Sequence, residues 1–262
     1  MKRILSRTLV SIALATAAPA FAANTSGTDF SDLWWNPAES GWGVTLTHEG
    51  NAIFATLFVY AADGSAQWYS GAAFPSSDST SALYTGQFFE GRGPYFGGPF
   101  NPALAGNRLV GTITLNLSQV SAGTMSYSVD GVIVTKSIQR QTFAANNLTG
   151  NYMGAIAGTD ANCGASSGNF TQYAQYTINH VGSGVTIAAA FSNAPSCNYQ
   201  GTYTQSGRMG SIDGTFVCSN GSGGPFRALE LEAGYQGFFT RYTADYGGGC
   251  VETGRISGMK LS

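Results

Sequence analysis

Apolar and polar residues alternate with a period of two along much of the chain, which is the pattern of strands that bury one face. Gly, Asn, Asp and Ser separate these short runs, and they are residues that tight turns favour. Amphipathic runs with the helical period are missing after residue 22. The pattern predicts strands at 42–48, 52–60, 66–73, 80–89, 108–117, 123–129 and 132–141, and at 150–156, 171–180, 184–192, 197–204, 210–217, 226–232, 236–243 and 250–257.

Two-residue turn signals between these runs predict tight hairpins. Successive hairpins form a meander, and a twisted meander of seven or eight strands closes into a barrel or folds into a sandwich. A short linker at 144–147 separates the two sets of strands. We therefore expect an all-β fold of two antiparallel meander barrels or sandwiches in tandem, with an N-terminal β-domain over 29–143 and a C-terminal disulfide-bonded β-domain over 148–262. The turn signals are Gly50-Asn51, Asp63-Gly64, Gly182-Ser183 and Gly207-Arg208.

The two sets of strands resemble distant copies of each other. Residues 46–50 match residues 178–182, so that His48 and His180 occupy the same hairpin position. Self-similarity at a fixed offset indicates a duplication. We expect the two histidines to stabilise their turns rather than to bind a metal.

The run at 52–60 is apolar on both of its faces. One face carries residues expected in the core, and the other carries Phe54, Phe58 and Tyr60. A meander strand with one side in water should alternate between apolar and polar residues. This strand is therefore either covered on both sides or part of an exposed aromatic surface.

The first residues have the order of a bacterial signal peptide. Lys2, Arg3 and Arg7 precede an apolar run at 8–18, and small residues flank Phe21 before the expected cleavage after Ala22. The apolar run is shorter than the roughly 20 residues that a membrane-spanning helix needs. The sequence thus predicts a signal peptide at 1–22 and an exported bacterial protein, either periplasmic or secreted.

The charge of the chain argues against nucleic acid as a partner. Only 10% of the residues are charged, and three of the 12 basic residues lie in the predicted signal peptide, which leaves 9 against 14 acidic residues. Nucleic-acid binding needs concentrated Lys and Arg. The sequence also does not favour membrane insertion. An outer-membrane barrel is the alternative, but the four cysteines and the strands shorter than about 9 residues argue against it.

The four cysteines predict two disulfides in an exported protein. Four cysteines allow three pairings, but the hairpin register favours one of them. With Gly207-Arg208 as the turn, Cys197 lies opposite Cys218, close enough to bridge. Cys163 and Cys250 then remain, and their bond would join the early and last segments of the second half.

The stretch at 33–43 reads LWWNPAESGWG, and it is followed by His48, Phe54-Ala55, Tyr60, Asp63-Gly64 and Trp68-Tyr69. This pattern resembles a module that recurs in secreted proteobacterial proteins, most of which have no assigned activity. The resemblance covers about residues 31–143, including 136–140. It implies an exported β-protein and transfers no catalytic residue.

Residues 148–152, which read LTGNY, resemble the opening strand of lipocalin- and avidin-type barrels. Those barrels begin with Gly, one further residue and an aromatic residue. The resemblance implies a barrel for the second half.

An aromatic box is the best candidate for a ligand-binding site in the sequence. Rings in a loop before a strand can stack on sugar faces or on apolar ligands, and polar neighbours can add hydrogen bonds. We favour a structural role for two of these rings, in which Trp34 and Trp35 plug one end of a barrel, because large aromatic residues mostly lie in the core. The candidate residues are Trp34, Trp35, Asn36, Glu39, Trp42, Trp68 and Tyr69.

No motif in the sequence indicates a catalytic residue, a metal site or a cofactor. Glu39 and His48 are not placed to form an acid–base pair, and no His-rich or carboxylate–histidine spacing completes a zinc shell. The segment at 221–225 is similar to the nucleophile loop of trypsin-like proteases, but it lacks the acidic residue before the serine. A polar hairpin loop explains this segment.

Together these observations favour an exported non-enzymatic β-module that binds a glycan, a peptide or another envelope component through aromatic-lined loops. The alternatives are a secreted hydrolase with an unrecognised site and a secreted protease inhibitor. The composition leaves the identity of the ligand or protein partner open.

Overall fold

The computed structural model describes residues 27–77 and 82–261. In this part of the chain two closed antiparallel barrels of eight strands each follow one another. The tandem all-β architecture predicted from the alternating pattern is therefore confirmed, and both units are barrels rather than sandwiches. The predicted signal peptide at 1–22 lies outside the described residues.

The N-terminal barrel is an up-and-down meander in which each strand pairs with the next and the eighth pairs with the first. A short 3-10 helix at Pro102–Leu104 lies between its fifth and sixth strands. The strands are β1 Asp32–Trp35, β2 Gly43–Glu49, β3 Ala52–Tyr60, β4 Ala66–Pro75, β5 Leu83–Arg92, β6 Gly106–Asn116, β7 Ala122–Val129 and β8 Val132–Arg140.

The C-terminal barrel has the same topology, and its last strand pairs with its first. A 3-10 helix at Gly164–Ser166 follows the first strand. The strands are β9 Gly150–Ala161, β10 Gly168–Val181, β11 Gly184–Phe191, β12 Cys197–Ser206, β13 Met209–Cys218, β14 Gly223–Gly234, β15 Gly237–Asp245 and β16 Val251–Lys260.

Strand β1 is the element that the sequence pattern does not predict. Its four residues are too few to show alternation, and Pro37 follows shortly after, so the sequence indicates an aromatic loop at this point. In the structure β1 pairs with β2 on one side and with β8 on the other. The residues expected in a loop therefore close the N-terminal barrel.

The hairpin registers agree with the turn signals. His48 pairs with Ile53 around the turn at residues 50–51, and Ser206 pairs with Met209 around Gly207-Arg208. The second register places Cys197 opposite Cys218, and these two cysteines form a disulfide. The other disulfide joins Cys163 to Cys250, as the sequence predicts.

One end of the N-terminal barrel is closed by a residue that precedes the first strand. Phe30 is buried, its backbone N–H donates to Nδ1 of His48 at 3.3 Å, and its carbonyl accepts from Nε1 of Trp34 at 3.0 Å. The guanidinium of Arg140 lies over the Trp34 ring, 4.8 Å from its centroid. The side chains of Phe30, His48 and Arg140 together seal this end against water.

The C-terminal barrel is closed in the same way. The backbone N–H of Leu148 donates to Nδ1 of His180 at 3.3 Å, and its carbonyl accepts from the Tyr152 hydroxyl at 2.8 Å. Lys260 lies over the Tyr152 ring, 5.9 Å from its centroid. The matching positions of the two histidines in the sequence thus correspond to one arrangement that the barrels share.

The two closed ends face each other. Asp32, at the start of β1, receives a hydrogen bond from the backbone N–H of Arg208 in the β12–β13 turn and an ion pair from Arg140 at 3.1 Å. The Arg208 side chain reaches the carboxylate of Asp29 at 2.5 Å. Polar contacts therefore join the turn of the second barrel to the first.

Candidate functional site

The residues of the predicted aromatic box do not form one surface. Trp34 is 0% exposed and Tyr69 is 7% exposed, and both point into the N-terminal barrel. Trp68 is half exposed on the outside of the wall, while Trp35 is half-buried at the end of β1. The wall of the barrel separates these rings because neighbouring residues on a strand face opposite sides. Trp34 is therefore a core residue, as we predict from the structural role in which it plugs the barrel.

Three of the predicted residues lie in or beside the loop between β1 and β2. Glu39 accepts a hydrogen bond from Nε1 of Trp42 at 2.9 Å and pairs with Nζ of Lys136 at 2.6 Å. These two hydrogen bonds lower the pKa of Glu39, with Lys136 the larger cause. Oδ1 of Asn36 accepts from the backbone N–H of Ala38 at 3.0 Å. These contacts fix the loop at the end of the N-terminal barrel that lies opposite Phe30.

Glu39 and His48 lie at opposite ends of β2, so they do not form an acid–base pair. Glu39 belongs to the loop that precedes β2, whereas His48 accepts the backbone hydrogen bond of Phe30 at the closed end. Burial lowers the pKa of His48 and so favours its neutral imidazole. The neutral ring is the form whose Nδ1 can accept from Phe30.

An exposed aromatic surface covers β3 and β4 on the outside of the N-terminal barrel. We call it the aromatic face. Five side chains that are 48–60% exposed form it, and Phe58 and Trp68 are directly opposed in the register of the two strands. The aromatic face consists of Phe54, Phe58, Tyr60, Trp68 and Phe74.

Local contacts hold the rings of the aromatic face in place. The Tyr60 hydroxyl donates to the carbonyl of Gly41 at 2.9 Å. The Trp68 ring lies over Gly91 of β5, where an added Cβ would come within 2.7 Å of the indole. Gly91 therefore leaves the room in which Trp68 lies flat on the sheet. The second apolar face of the strand at 52–60 is therefore exposed rather than covered, which decides between the two alternatives that its sequence pattern allows.

The open end of the C-terminal barrel carries a pair of carboxyl groups. Asp160 on β9 and Glu252 on β16 are directly opposed in the register that closes the barrel, and both point inward. The hydroxyl groups of Tyr242 and Tyr246 donate to Glu252, the second at 3.2 Å. Burial is the largest cause that raises the pKa of both carboxyl groups, and in Glu252 the negative charge of Asp160 raises it further.

A cavity of about 130 Å³ opens at this end of the barrel, and both Glu252 and the disulfide Cys197–Cys218 line it. We call the cavity and its acid pair the acidic mouth. Burial also raises the pKa of Tyr199 and Tyr246, whose rings line it. Tyr199 and Phe191 line a second cavity as well, a wholly apolar space of about 40 Å³ deeper in the barrel. These two rings form the floor of the acidic mouth.

The sequence contained a signal for the acidic mouth that motif reasoning missed. Asp160 precedes Cys163 by three residues, and Glu252 follows Cys250 by two. A bond between these cysteines brings the two carboxyl groups to the same end of the fold. The predicted disulfide could therefore have predicted the pair.

No protein-family model matches this chain, and no curated protein sequence matches it significantly. In the part of the chain that the structure describes, no helix is long and apolar enough to cross a membrane. No group of three or more potential metal ligands forms among the same residues. The arguments on function therefore come from the residues of the two sites.

Proposed function

We propose that this protein is an exported, non-enzymatic binding module whose aromatic face holds a neutral glycan chain. The observation that carries the proposal is the aromatic face itself, with five half-exposed rings on two neighbouring strands. Soluble proteins rarely expose contiguous apolar surface of this kind unless it binds something. Aromatic rings offer flat apolar faces beside polar neighbours, which suits the faces of sugar rings.

Two further features of the aromatic face favour a glycan over a charged peptide. Strands β3 and β4 contain no charged residue. Thr56 and Ser70 are directly opposed between the rings, so their hydroxyl groups are available to the hydroxyl groups of a sugar. A neutral, hydroxyl-rich and partly apolar ligand matches this surface.

Export is supported by the two disulfides and by the order of residues in the first 22 positions. Disulfides persist in oxidising compartments such as the periplasm or the exterior of the cell. Glycans of the envelope and of the surroundings are available in those compartments. The resemblance to a module of secreted proteobacterial proteins points the same way.

A glycan array and affinity electrophoresis test the proposal, with residues 23–262 produced in an oxidising compartment. We expect binding to a subset of neutral polysaccharides, and a loss of at least tenfold on Trp68→Ala combined with Phe58→Ala. Tyr235→Ala is the matched control, because Tyr235 is 97% exposed on the other barrel. It should leave binding unchanged.

Three results would contradict the proposal. One is the absence of binding to every neutral glycan on the array. Another is glycan binding that survives Trp68→Ala combined with Phe58→Ala. The third is a stoichiometric complex with a secreted protease, or turnover of a glycan that depends on one carboxylate, since these outcomes would favour an inhibitor or a hydrolase.

A further inference from the structure

The acidic mouth of the C-terminal barrel is a built site that is separate from the aromatic face. It lies at the end of the second barrel that points away from the first, and the disulfides Cys163–Cys250 and Cys197–Cys218 hold the loops around it. Packing fixes its walls: the Phe170 ring lies over Gly158, where an added Cβ would come within 3.0 Å of it. A fixed cavity of this kind is where small ligands bind in barrels.

The acidic mouth offers hydrogen-bond acceptors, and the protein leaves one of them unused. Oε1 of Gln172 lines it and is buried without a hydrogen-bond partner. The carboxylate of Glu252 lies on the same surface, and its neighbour Asp160 adds a second carboxyl group. Amide oxygens and carboxylates accept hydrogen bonds, so a ligand for this surface must donate them.

No positive side chain balances these acceptors. The lining of the cavity contains neither Lys nor Arg among the residues that the structure describes. Buried carboxylates are normally paired with a positive charge, because burial without one is costly. Once the acid pair has lost its protons, its charge therefore has no positive partner in the lining, and a cation would supply one.

The deeper, apolar cavity has an unused polar group of its own. Tyr176 is 4% exposed, lines this cavity, and its hydroxyl group has no hydrogen-bond partner among the described residues. The surface of the cavity itself is wholly apolar, so the Tyr176 hydroxyl lies beside it rather than on its surface. The two cavities share Tyr199 and Phe191, so a ligand in the mouth meets apolar rings at its floor.

Aromatic rings line the mouth on several sides. Tyr199 stacks on Phe216 at 5.5 Å between ring centroids, and Phe216 meets Tyr246 edge to face at 4.9 Å. The rings of Phe170 and Phe191 also line the cavity. Rings around a carboxylate form a favourable environment for an organic ammonium ion, because the ring faces attract positive charge and also pack against its carbon atoms.

The size of the cavity limits the ligand. An apolar protein cavity of about 150 Å³ holds one benzene molecule. The acidic mouth, at about 130 Å³, is slightly smaller and opens to solvent. A ligand with one ring or a short alkyl chain and one charged group fits this space.

We propose that the acidic mouth binds a small primary ammonium ion of about the size of benzylamine. The ammonium group donates to Glu252 and to Oε1 of Gln172, and the hydrocarbon part packs on Tyr199 and Phe191. This inference does not depend on the proposed function of the aromatic face, because the two sites lie on different barrels.

The groups around Glu252 make this binding depend on pH in one direction. The titratable groups that face it are Asp160, Tyr199, Tyr242 and Tyr246, and burial is the largest cause that raises the pKa of each of them. The tyrosines stay neutral, so the acid pair sets the charge of the site. As the pH rises and the pair loses its protons, the affinity for an ammonium ion increases.

Isothermal titration calorimetry with benzylamine hydrochloride tests the proposal on residues 23–262 with both disulfides formed. We expect saturable binding of one benzylamine at pH 7.5 and at least tenfold weaker binding at pH 5. Benzyl alcohol has the same shape without the charge, and sodium benzoate has the opposite charge. Both should bind at least tenfold more weakly than benzylamine.

Glu252→Gln keeps the volume of the side chain and removes its charge. It should weaken benzylamine binding at least tenfold and reduce its pH dependence, to which Asp160 still contributes. Asp160→Asn is a second variant of the pair, with the same expected direction. Asp213→Asn is the matched control, since Asp213 is an exposed carboxylate on the outer wall of the same barrel. Circular dichroism establishes that each variant is folded.

Several results would overturn the proposal. They are the absence of heat and of a thermal shift with benzylamine, equal affinities for benzylamine and benzyl alcohol, and binding that Glu252→Gln and Asp160→Asn leave intact. A calcium titration tests whether the acid pair holds a metal ion instead of an ammonium ion. If Ca²⁺ binds to the acid pair and benzylamine does not, the site holds a metal ion and the proposal is wrong. Loss of glycan binding in the aromatic-face variants has no bearing on these outcomes.

Discussion

The backbone N–H of Arg208 donates a hydrogen bond of 2.9 Å to Oδ2 of Asp32, across the junction between the barrels. The bond brings the turn at Gly207-Arg208 against the first strand of the N-terminal barrel. Gly207 has a φ of 62°, and an added Cβ would lie 2.1 Å from the same carboxylate oxygen. The turn therefore needs glycine for two reasons, its backbone conformation and its position at the junction.

The first prediction tests whether Gly207 is needed only for its backbone conformation or also for its position against Asp32. Gly207→Ala should destabilise the protein by more than about 1 kcal/mol, because it adds a clash with Asp32 to the cost of a left-handed backbone. Gly182→Ala is the matched control. Gly182 has a φ of 61° in a comparable turn, and nothing lies within 4 Å of its added Cβ. Chemical denaturation should give a larger loss for Gly207→Ala, and equal losses would show that the junction contributes nothing.

The second prediction concerns the two kinds of tryptophan. Trp34→Ala should lower the free energy of unfolding by about 3–5 kcal/mol, because it empties a fully buried aromatic site. Trp68→Ala should lower it by less than about 1 kcal/mol, since Trp68 is half exposed on the aromatic face. Urea denaturation of both variants tests this contrast. A small effect of Trp34→Ala would place that ring outside the core.

The third prediction ranks the disulfides. The bond Cys163–Cys250 closes a loop with a sequence separation of 87, against 21 for Cys197–Cys218. Constraint of the unfolded chain should then contribute about 4 kcal/mol for the long loop and about 3 kcal/mol for the hairpin. Double Cys→Ser variants of each pair, compared by denaturation, measure the difference. Non-reducing peptide mapping checks the pairing, and a peptide that joins Cys163 to Cys197 would contradict it.

The fourth prediction is the pH dependence of stability at the acidic mouth. The pKa of Glu252 is raised in the folded protein, so the folded state holds its proton to a higher pH than the unfolded state does. Its contribution to stability is fully present below about pH 4.3, the ordinary pKa of glutamate. It is lost as the pH rises through the raised value.

Glu252→Gln removes the loss of stability that ionisation of Glu252 causes as the pH rises. The stability of this variant relative to the native chain should therefore increase between pH 4 and pH 8, while groups elsewhere cancel in the comparison. Denaturation curves of both proteins across this range measure the effect. A difference that stays constant with pH would mean that Glu252 titrates normally.

The sequence predicts the parts of this fold that depend on local pairing. Turn residues and alternating faces set the register of each hairpin, which is why the pairing of Cys197 with Cys218 follows from the residues between them. Closure of a barrel depends on strands far apart in the chain. The pairing of β1 with β8 is of this kind, so the Trp34-Trp35 segment could be taken for a loop.

The candidate sites, too, can be predicted from the sequence only where they depend on local pattern. The exposed aromatic face follows from one strand with two apolar faces, a pattern within nine residues. The acidic mouth depends on Asp160 and Glu252, which meet only where the last strand returns to the first. The structure divides the rings of the predicted aromatic box for a related reason. Consecutive tryptophans on a strand point to opposite sides of the wall, whereas a loop could have placed them together.

The arrangement of the closed ends has a consequence for how the molecule can be used. Since Phe30 and Leu148 seal the ends that face each other, the acidic mouth opens at the end of the molecule that lies farthest from the N-terminal barrel. Strands of about ten residues, tilted in the barrel wall, place it about 25 Å from the junction. A ligand in the acidic mouth and a glycan on the aromatic face would therefore neither touch nor compete, and the protein could hold both at once.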